Sequence, residues 1–411
     1  MDNRFNNIRC VIVKLTNRCN IRCEYCYENI VSKGVNMKSE VFQDMVETFL
    51  QSTNEKSVLF ILHGGEPTIL PENWFEENLQ KSYELGEKYD KEVEFSIQTN
   101  LIKISETKLK IFKKYNVGIG GSIDNPDFLT ESLRPLANKA LNTYKKAKKL
   151  GIRVGILSTI NSSNLDKMKD FCSWLHNSLN VNHFKANLAY SVGTGLELLV
   201  PDANSFFLAQ KDVIKYMISN DGDFLEENLS QEIIRFIENY KGGKDRKSSL
   251  CGDKRCGAGS KVVGVTPQGN ILPCGRFAWD DDKYFLGNLS DIDEEKENKF
   301  LKKLDTFHEA NPENWKYCND CEAKDICDFG CQGFIVRSIK KINIECLPTK
   351  LRFKYYQENI NEIQKLYEKI CAQKKRHAMT PFEQKLSKLK GMIPVEHHSL
   401  LKERLMEFIP N

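Results

Sequence analysis

From residue 8 to about residue 190, short apolar runs alternate with stretches whose apolar side chains recur every three or four positions. The short runs predict strands over 9–15, 58–63, 94–99, 118–123, 153–160 and 183–190. Between them the helical period predicts helices over 39–50, 74–89, 106–115, 137–150 and 165–179. Ser39 precedes a run containing Val41, Met45, Val46 and Phe49, and reads as an N-cap; Gly151 follows Leu150 and reads as a helix stop. Six βα units in succession predict an α/β fold, a parallel sheet with helices outside it, either open or rolled into a partial barrel. Residues 203–240 read as helical, and the Gly- and Lys-rich stretch at 241–249 reads as a linker. Residues 349–373 read as one long helix, and Pro381 opens another pattern through Phe382, Leu386 and Leu389.

Between the helical regions at 203–240 and 349–373 the periodicity fails and cysteines take over. The chain has 411 residues and 14 cysteines, three of them between Cys19 and Cys26 and eight between Cys251 and Cys346. A segment so poor in apolar periods is expected to bury little core, so bound metal would supply its stability. An even cysteine count also suits disulfides in a secreted protein. However, residues 1–10 contain no apolar signal-peptide core, and the apolar run Val58 to Leu62 is far too short to span a bilayer. We therefore expect a cytoplasmic protein with reduced, metal-binding thiols and no membrane partner. Charge adds little: the formal +4 is spread without a long basic stripe, so no nucleic-acid partner is expected.

Cys19, Cys23 and Cys26 follow the first predicted strand in C-x3-C-x2-C spacing. Three thiolates on a four-iron cluster leave one iron open, as a catalytic metal centre requires. Taken alone, the triad also suits zinc with a distant fourth ligand. The next three strands end in His63-Gly64-Gly65-Glu66-Pro67, Gln98-Thr99-Asn100 and Ser122-Ile123-Asp124. Ligands of parallel αβ sheets bind at the C-terminal strand ends, so these polar groups point to one site. Gly64 and Gly65 expose backbone that can approach a ligand closely, and Glu66 can accept from an ammonium group.

Together these residues resemble the radical S-adenosylmethionine (radical SAM) superfamily, whose C-x3-C-x-aromatic-C motif is matched here with Tyr25 in the aromatic place. The resemblance implies a partial (β/α)6 TIM-type barrel. It also implies a 4Fe–4S cluster on Cys19, Cys23 and Cys26 whose open iron binds S-adenosylmethionine. One electron then cleaves the sulfonium to a 5′-deoxyadenosyl radical. Gly64, Gly65 and Glu66 would hold the methionine amino group. Thr99, Asn100 and Ser122 would line the ribose and carboxylate side, with Arg134 a further carboxylate contact. Downstream, Cys256-x12-Gly269-x4-Cys274, then Cys318-x2-Cys321-x5-Cys327-x3-Cys331, then Cys346 are similar to the SPASM pattern, and Cys251 supplies an eighth thiol. The resemblance assigns Cys251, Cys256, Cys274 and Cys331 to one auxiliary 4Fe–4S cluster, and Cys318, Cys321, Cys327 and Cys346 to a second. Three such clusters would bring the formal charge to about −1. The implied organisation is a barrel over 1–240, a SPASM domain over 241–348 and a helical extension over 349–411.

Enzymes of this kind mostly modify peptides or proteins, forming thioether or carbon–carbon crosslinks or oxidising cysteine or serine to formylglycine. A peptide maturase is the expected reading. Formylglycine formation, small-molecule radical dehydrogenation and a non-enzymatic electron carrier are the alternatives. Gly275 and Arg276 follow Cys274, where formylglycine-forming members place an aspartate base. The expected partners are a peptide or protein substrate and a reductant such as flavodoxin or ferredoxin. With few residues before the first strand, recognition of a leader peptide, if it occurs, is expected of a separate protein, the tail after residue 350 or the barrel itself. The tail joins Lys374, Lys375, Arg376, Lys385, Lys388 and Lys390 to an apolar face, and reads as a packing cap or as a docking surface for an acidic leader. Cys10 and Cys172 fall in apolar patterns and read as buried small hydrophobes, whereas Cys371 is undecided.

Overall fold

The computed structural model describes residues 3–28, 30, 34–124, 133–195, 197–242, 256–291, 294–309, 315–324, 326–327 and 329–378. Cys251 and the predicted helix opening at Pro381 lie outside the described residues.

Six parallel strands appear where the apolar runs predict them: β1 (Cys10–Thr16), β2 (Ser57–Gly64), β3 (Glu92–Thr99), β4 (Gly118–Ser122), β5 (Val154–Ile160) and β6 (His183–Leu188). They pair in sequence order, with a short seventh strand β7 (Leu225–Glu226) beyond β6. β1 is buried almost throughout, as befits a strand covered on both faces, whereas β2 alternates strictly between buried and half-buried positions. Five helices follow the first five strands: α1 (Ser39–Ser52), α2 (Glu72–Tyr89), α3 (Glu106–Lys114), α4 (Ala137–Lys149) and α5 (Met168–Leu179). Each turns its apolar stripe to the sheet, as α1 does with Phe42, Met45, Val46, Phe49 and Leu50. α4 stops where expected, with Gly151 at φ +69°. The two edges of the sheet do not pair with each other, so the parallel strands form an incomplete barrel.

Ser39 is not an N-cap. Lys38 holds that position, and the Ser39 hydroxyl instead accepts from Asn78 Nδ2 of α2 at 2.9 Å. The helical region at 203–240 resolves into α6 (Ala203–Ser219) and α7 (Glu227–Tyr240).

The cysteine-rich segment departs most from expectation. Its strands β8 (Val262–Val265), β9 (Asn270–Leu272) and β10 (Gly287–Asn288) extend the barrel sheet, β8 pairing parallel to β1 and the others adding antiparallel. Val263, Val265, Ile271, Leu272, Phe277 and Phe300 are buried in the same core as β1 and α1. This segment buries substantial apolar surface after all, because β1 supplies the open edge its short strands lack. After α8 (Glu294–Glu309) and two short helices, α9 (Lys316–Asn319) and α10 (Gln332–Arg337), the chain returns as α11 (Cys346–Glu358) and α12 (Ile360–Ala378). The predicted single helix over 349–373 is thus broken. Asn359 caps α11, its Nδ2 donating to Tyr355 O at 2.8 Å, while its carbonyl accepts from Glu362 and Ile363. Arg352 of α11 reaches between α6 and α7, forming a bidentate, fully buried pair with Glu232 at 2.6 Å for each bond. Among the described residues, no helix is long and apolar enough to cross a membrane.

Candidate active site

A cavity of about 370 Å³ opens at the C-terminal ends of β1–β6 and is lined by Cys19, Cys23 and Cys26 on one side and Cys274 and Arg276 on another. The loop after β1 carries the triad. Burial pushes the Cys19 thiol up to about 11 and the Cys26 thiol to about 12, with nearby thiols and carboxylates adding to the effect. Cys23 is raised by burial too, partly offset by Arg134. Such thiols keep their protons unless a cation displaces them. Among the described residues no three cysteine, histidine or carboxylate side chains converge on one point as around a single ion. The three thiols line one side of the cavity together, and soft thiolate donors suit an iron–sulfur core.

The Gly64-Gly65-Glu66 turn makes its close approach to protein rather than leaving its backbone free. A Cβ on Gly64, which sits at φ +118°, would lie 2.3 Å from Thr16 O, and one on Gly65 would lie 2.1 Å from Arg18 O. The Gly65 and Glu66 amides donate to those same two carbonyls at 2.8 Å. The glycines thereby press the end of β2 against the cysteine loop. Glu66 is 1 % exposed. Its carboxylate accepts from Thr68 Oγ1 (2.5 Å), Thr68 N (3.0 Å), Thr99 Oγ1 (2.8 Å) and Asn100 N (2.7 Å). It ties the ends of β2 and β3 together while still forming part of the cavity wall. Asn100 continues the tie to the cysteine loop through Asn20 Oδ1 at 2.7 Å and Cys19 Sγ at 3.7 Å.

Tyr25 and Arg134 meet on Asp124, a strand-end residue to which sequence reasoning assigns no individual role. Asp124, just beyond β4, accepts from the Tyr25 hydroxyl, from Arg134 Nε at 2.8 Å and from Thr159 N at 2.8 Å. Arg134 Nε also donates to the Tyr25 oxygen at 2.7 Å. Neighbouring Ser122 accepts from Gln98 Nε2 at 3.1 Å. All the sequence-predicted cofactor contacts therefore line this one cavity. Tyr25 and Arg134, however, are mutually engaged through Asp124.

The opposite side of the cavity was not legible beforehand. Lys14, 0 % exposed in the middle of apolar β1, pairs with buried Glu28 and donates to Gly275 O at 3.2 Å. Burial holds the Glu28 carboxyl above its usual range despite this partner. His63 Nδ1 accepts from Gly64 N at 2.7 Å, which places the ring proton on Nε2, 3.3 Å from the Tyr27 hydroxyl. Burial, Lys14 and Arg276 push the imidazole down to about 3, so His63 is neutral at physiological pH. The Arg276 guanidinium lies over the Phe334 ring at 4.9 Å and the Tyr27 ring at 5.8 Å. A side chain at Gly275 would meet Ile12 at 2.5 Å, so the fold has no room for a carboxylate there.

The remaining cysteines fall into two places. Cys318, Cys321, Cys327 and Cys346 line one small apolar cavity with Phe329 and Thr349. Cys274 lies on the main cavity, and α10, which begins directly after Cys331, passes so close that a Cβ on Gly333 would sit 3.6 Å from its sulfur. The loop after Cys256 is pinned to the same region by Gly259 N donating to Pro273 O at 2.7 Å. Cys10 and Cys172 are both 0 % exposed, as small hydrophobes would be, and Cys371 is half-buried on α12.

Residues 13–175 match the model of the Radical SAM superfamily. A cysteine-type anaerobic sulfatase-maturating enzyme of Clostridium perfringens is 25% identical over 374 residues, covering 82% of this chain and 93% of its own. Native anSMEcpe with bound AdoMet and a Cp18Cys peptide superposes with TM-score 0.69 at 20% identity, covering 86% of this chain and 98% of that one. Streptococcus suis SuiB bound to its precursor peptide SuiA superposes with TM-score 0.56 at 14% identity, covering 83% and 75%. The thiol triad at the mouth of an incomplete parallel barrel, the matched residues and these likenesses agree: over residues 13–175 the chain carries a radical SAM domain, built on the incomplete barrel fold of these structures.

Proposed function

We propose that this enzyme is a peptide maturase that abstracts hydrogen from a ribosomally made peptide to form a thioether or carbon–carbon crosslink. The observation that carries the reading is the cavity walled by Cys19, Cys23 and Cys26 on one side and by Cys274, Arg276 and Phe334 on the other. It offers room for a cofactor at the triad and for a substrate segment beyond it. A 4Fe–4S cluster on the triad would supply reductive cleavage of S-adenosylmethionine to the 5′-deoxyadenosyl radical. Cys251, Cys256, Cys274 and Cys331 would hold one further cluster, and Cys318, Cys321, Cys327 and Cys346 another. The barrel, SPASM and extension segments over 1–240, 241–348 and 349–411 and a reducing cytoplasmic setting belong to the same reading.

The chain's own groups have separable tasks. Glu66, Thr99 and Asn100 fix the β2 and β3 ends against the cysteine loop, and the backbone around Gly64 and Gly65 with Ser122 frames the cofactor. Asp124 sets the positions of Tyr25 and Arg134. Arg276, Tyr27 and Phe334 present a cationic, aromatic wall to substrate. Formylglycine formation is disfavoured by Gly275, whose surroundings exclude the side-chain base that reaction would use there. The test is a short peptide encoded beside this gene, deuterated at its side-chain carbons. Deuterium is expected in the 5′-deoxyadenosine, with two hydrogens lost from the peptide per crosslink. An unmodified peptide with unlabelled 5′-deoxyadenosine would reject the peptide reading.

A further inference from the structure

Cys19 belongs to two cavities. It lines the main cavity and also an open groove of about 610 Å³, with Arg18, Asn20, Glu72, Lys103 and Lys108. Asn20 of the groove is hydrogen-bonded to Asn100 of the main cavity at 2.7 Å, so the two spaces adjoin at Cys19. The groove carries three cations against one carboxylate. Glu72 is occupied by the Ser105 hydroxyl, and Lys108 is anchored to Thr68 O at 2.6 Å. Arg18 and Lys103 are both exposed, and neither has an ion-pair partner among the described residues. Unpaired exposed cations around a concavity create a field that attracts and orients an acidic partner.

We infer that this groove is the docking surface for an acidic protein carrying a one-electron redox centre, which delivers its electron to the active site across Cys19. The inference rests on the reading of the triad given above, since that chemistry needs one electron per cleavage. The electron balance is simple. The carrier's reduced centre gives up one electron, the sulfonium carbon–sulfur bond breaks, and methionine and the 5′-deoxyadenosyl radical are the products. No proton is transferred. The charge argues for a protein over a neutral mediator, and Cys19, which lines both cavities, places the groove directly against the triad.

The holoenzyme with Arg18→Gln and Lys103→Gln tests the inference, with Arg18→Lys and Lys103→Arg as the conservative control. The probe is an acidic flavodoxin. Its affinity is measured by calorimetry, and 5′-deoxyadenosine formation is driven either by the reduced flavodoxin or by dithionite. Loss of two rim charges should weaken flavodoxin binding about tenfold at low salt and flatten its salt dependence. Flavodoxin-driven turnover at subsaturating carrier should fall in proportion, while dithionite-driven turnover stays unchanged and the conservative variant behaves as wild type. Unaltered flavodoxin affinity, or an equal loss with both donors, would overturn the inference. Absence of dithionite-driven turnover in the wild type would instead reject the underlying reading of the triad.

Discussion

Replacing Cys19, Cys23 and Cys26 together with alanine is expected to abolish 5′-deoxyadenosine formation while leaving about eight of about twelve iron atoms per chain. The three thiols sit on one loop whose course is set by the backbone bonds from Gly65 and Glu66 to Thr16 and Arg18, not by the sulfurs. Alanine at these positions should therefore leave the barrel intact. Among the described residues, the other candidate ligands lie in the small cavity around Cys318 and Cys346 and in the region of Cys274, so their iron should remain. Anaerobic iron analysis and chromatography of the reaction mixture read both numbers. Residual cleavage above about one part in a thousand of wild type would mean that the triad is not the catalytic centre.

The second large effect lies far from the cavity. Arg352→Ala should cost about 3–5 kcal/mol of stability, because it leaves the Glu232 carboxylate buried without its cation. Arg352 Nε and Nη2 each contact Glu232 at 2.6 Å, and Tyr356 and Gln210 complete the network. α11 starts at Cys346, so loosening this helix also displaces a candidate cluster ligand. Iron content should fall by about four atoms along with stability. Replacing both partners by Met and Leu should recover most of the loss, since no buried charge is then left alone. Urea unfolding of the reconstituted variants measures the effect. A loss below about 1 kcal/mol for Arg352→Ala would mean that the pair contributes no more than a surface contact.

The barrel was legible because its strands are apolar enough to declare themselves and its helices carry a clear stripe. The triad and the polar strand ends were legible because their spacing is local. Contacts between distant segments were not. Nothing near Lys14 in sequence announces Glu28 and the Gly275 carbonyl as its partners, and a lone lysine in a strand does not reveal which wall it braces. Asp124 stood in view at the end of β4, but its importance comes from Tyr25 and Arg134 converging on it. The glycines before Glu66 were singled out for close approach to a ligand, whereas the group they approach in the structure is the β1 loop. The cysteine-rich segment looked unable to build a core because β8–β10 are only two to four residues long; their burial depends on the β1 edge, which no local pattern encodes. The break at Asn359 likewise reflects packing of α11 on α6 and of α12 on α7, which a continuous apolar period conceals.

One assay tests the radical chemistry of the triad most directly. The wild-type protein, reconstituted anaerobically and reduced with dithionite, is mixed with S-adenosylmethionine without any peptide, and the products are separated by chromatography. 5′-Deoxyadenosine and methionine are expected in equal amounts, at more than one turnover per chain. Intact S-adenosylmethionine in the presence of fully loaded, reduced protein would contradict that chemistry.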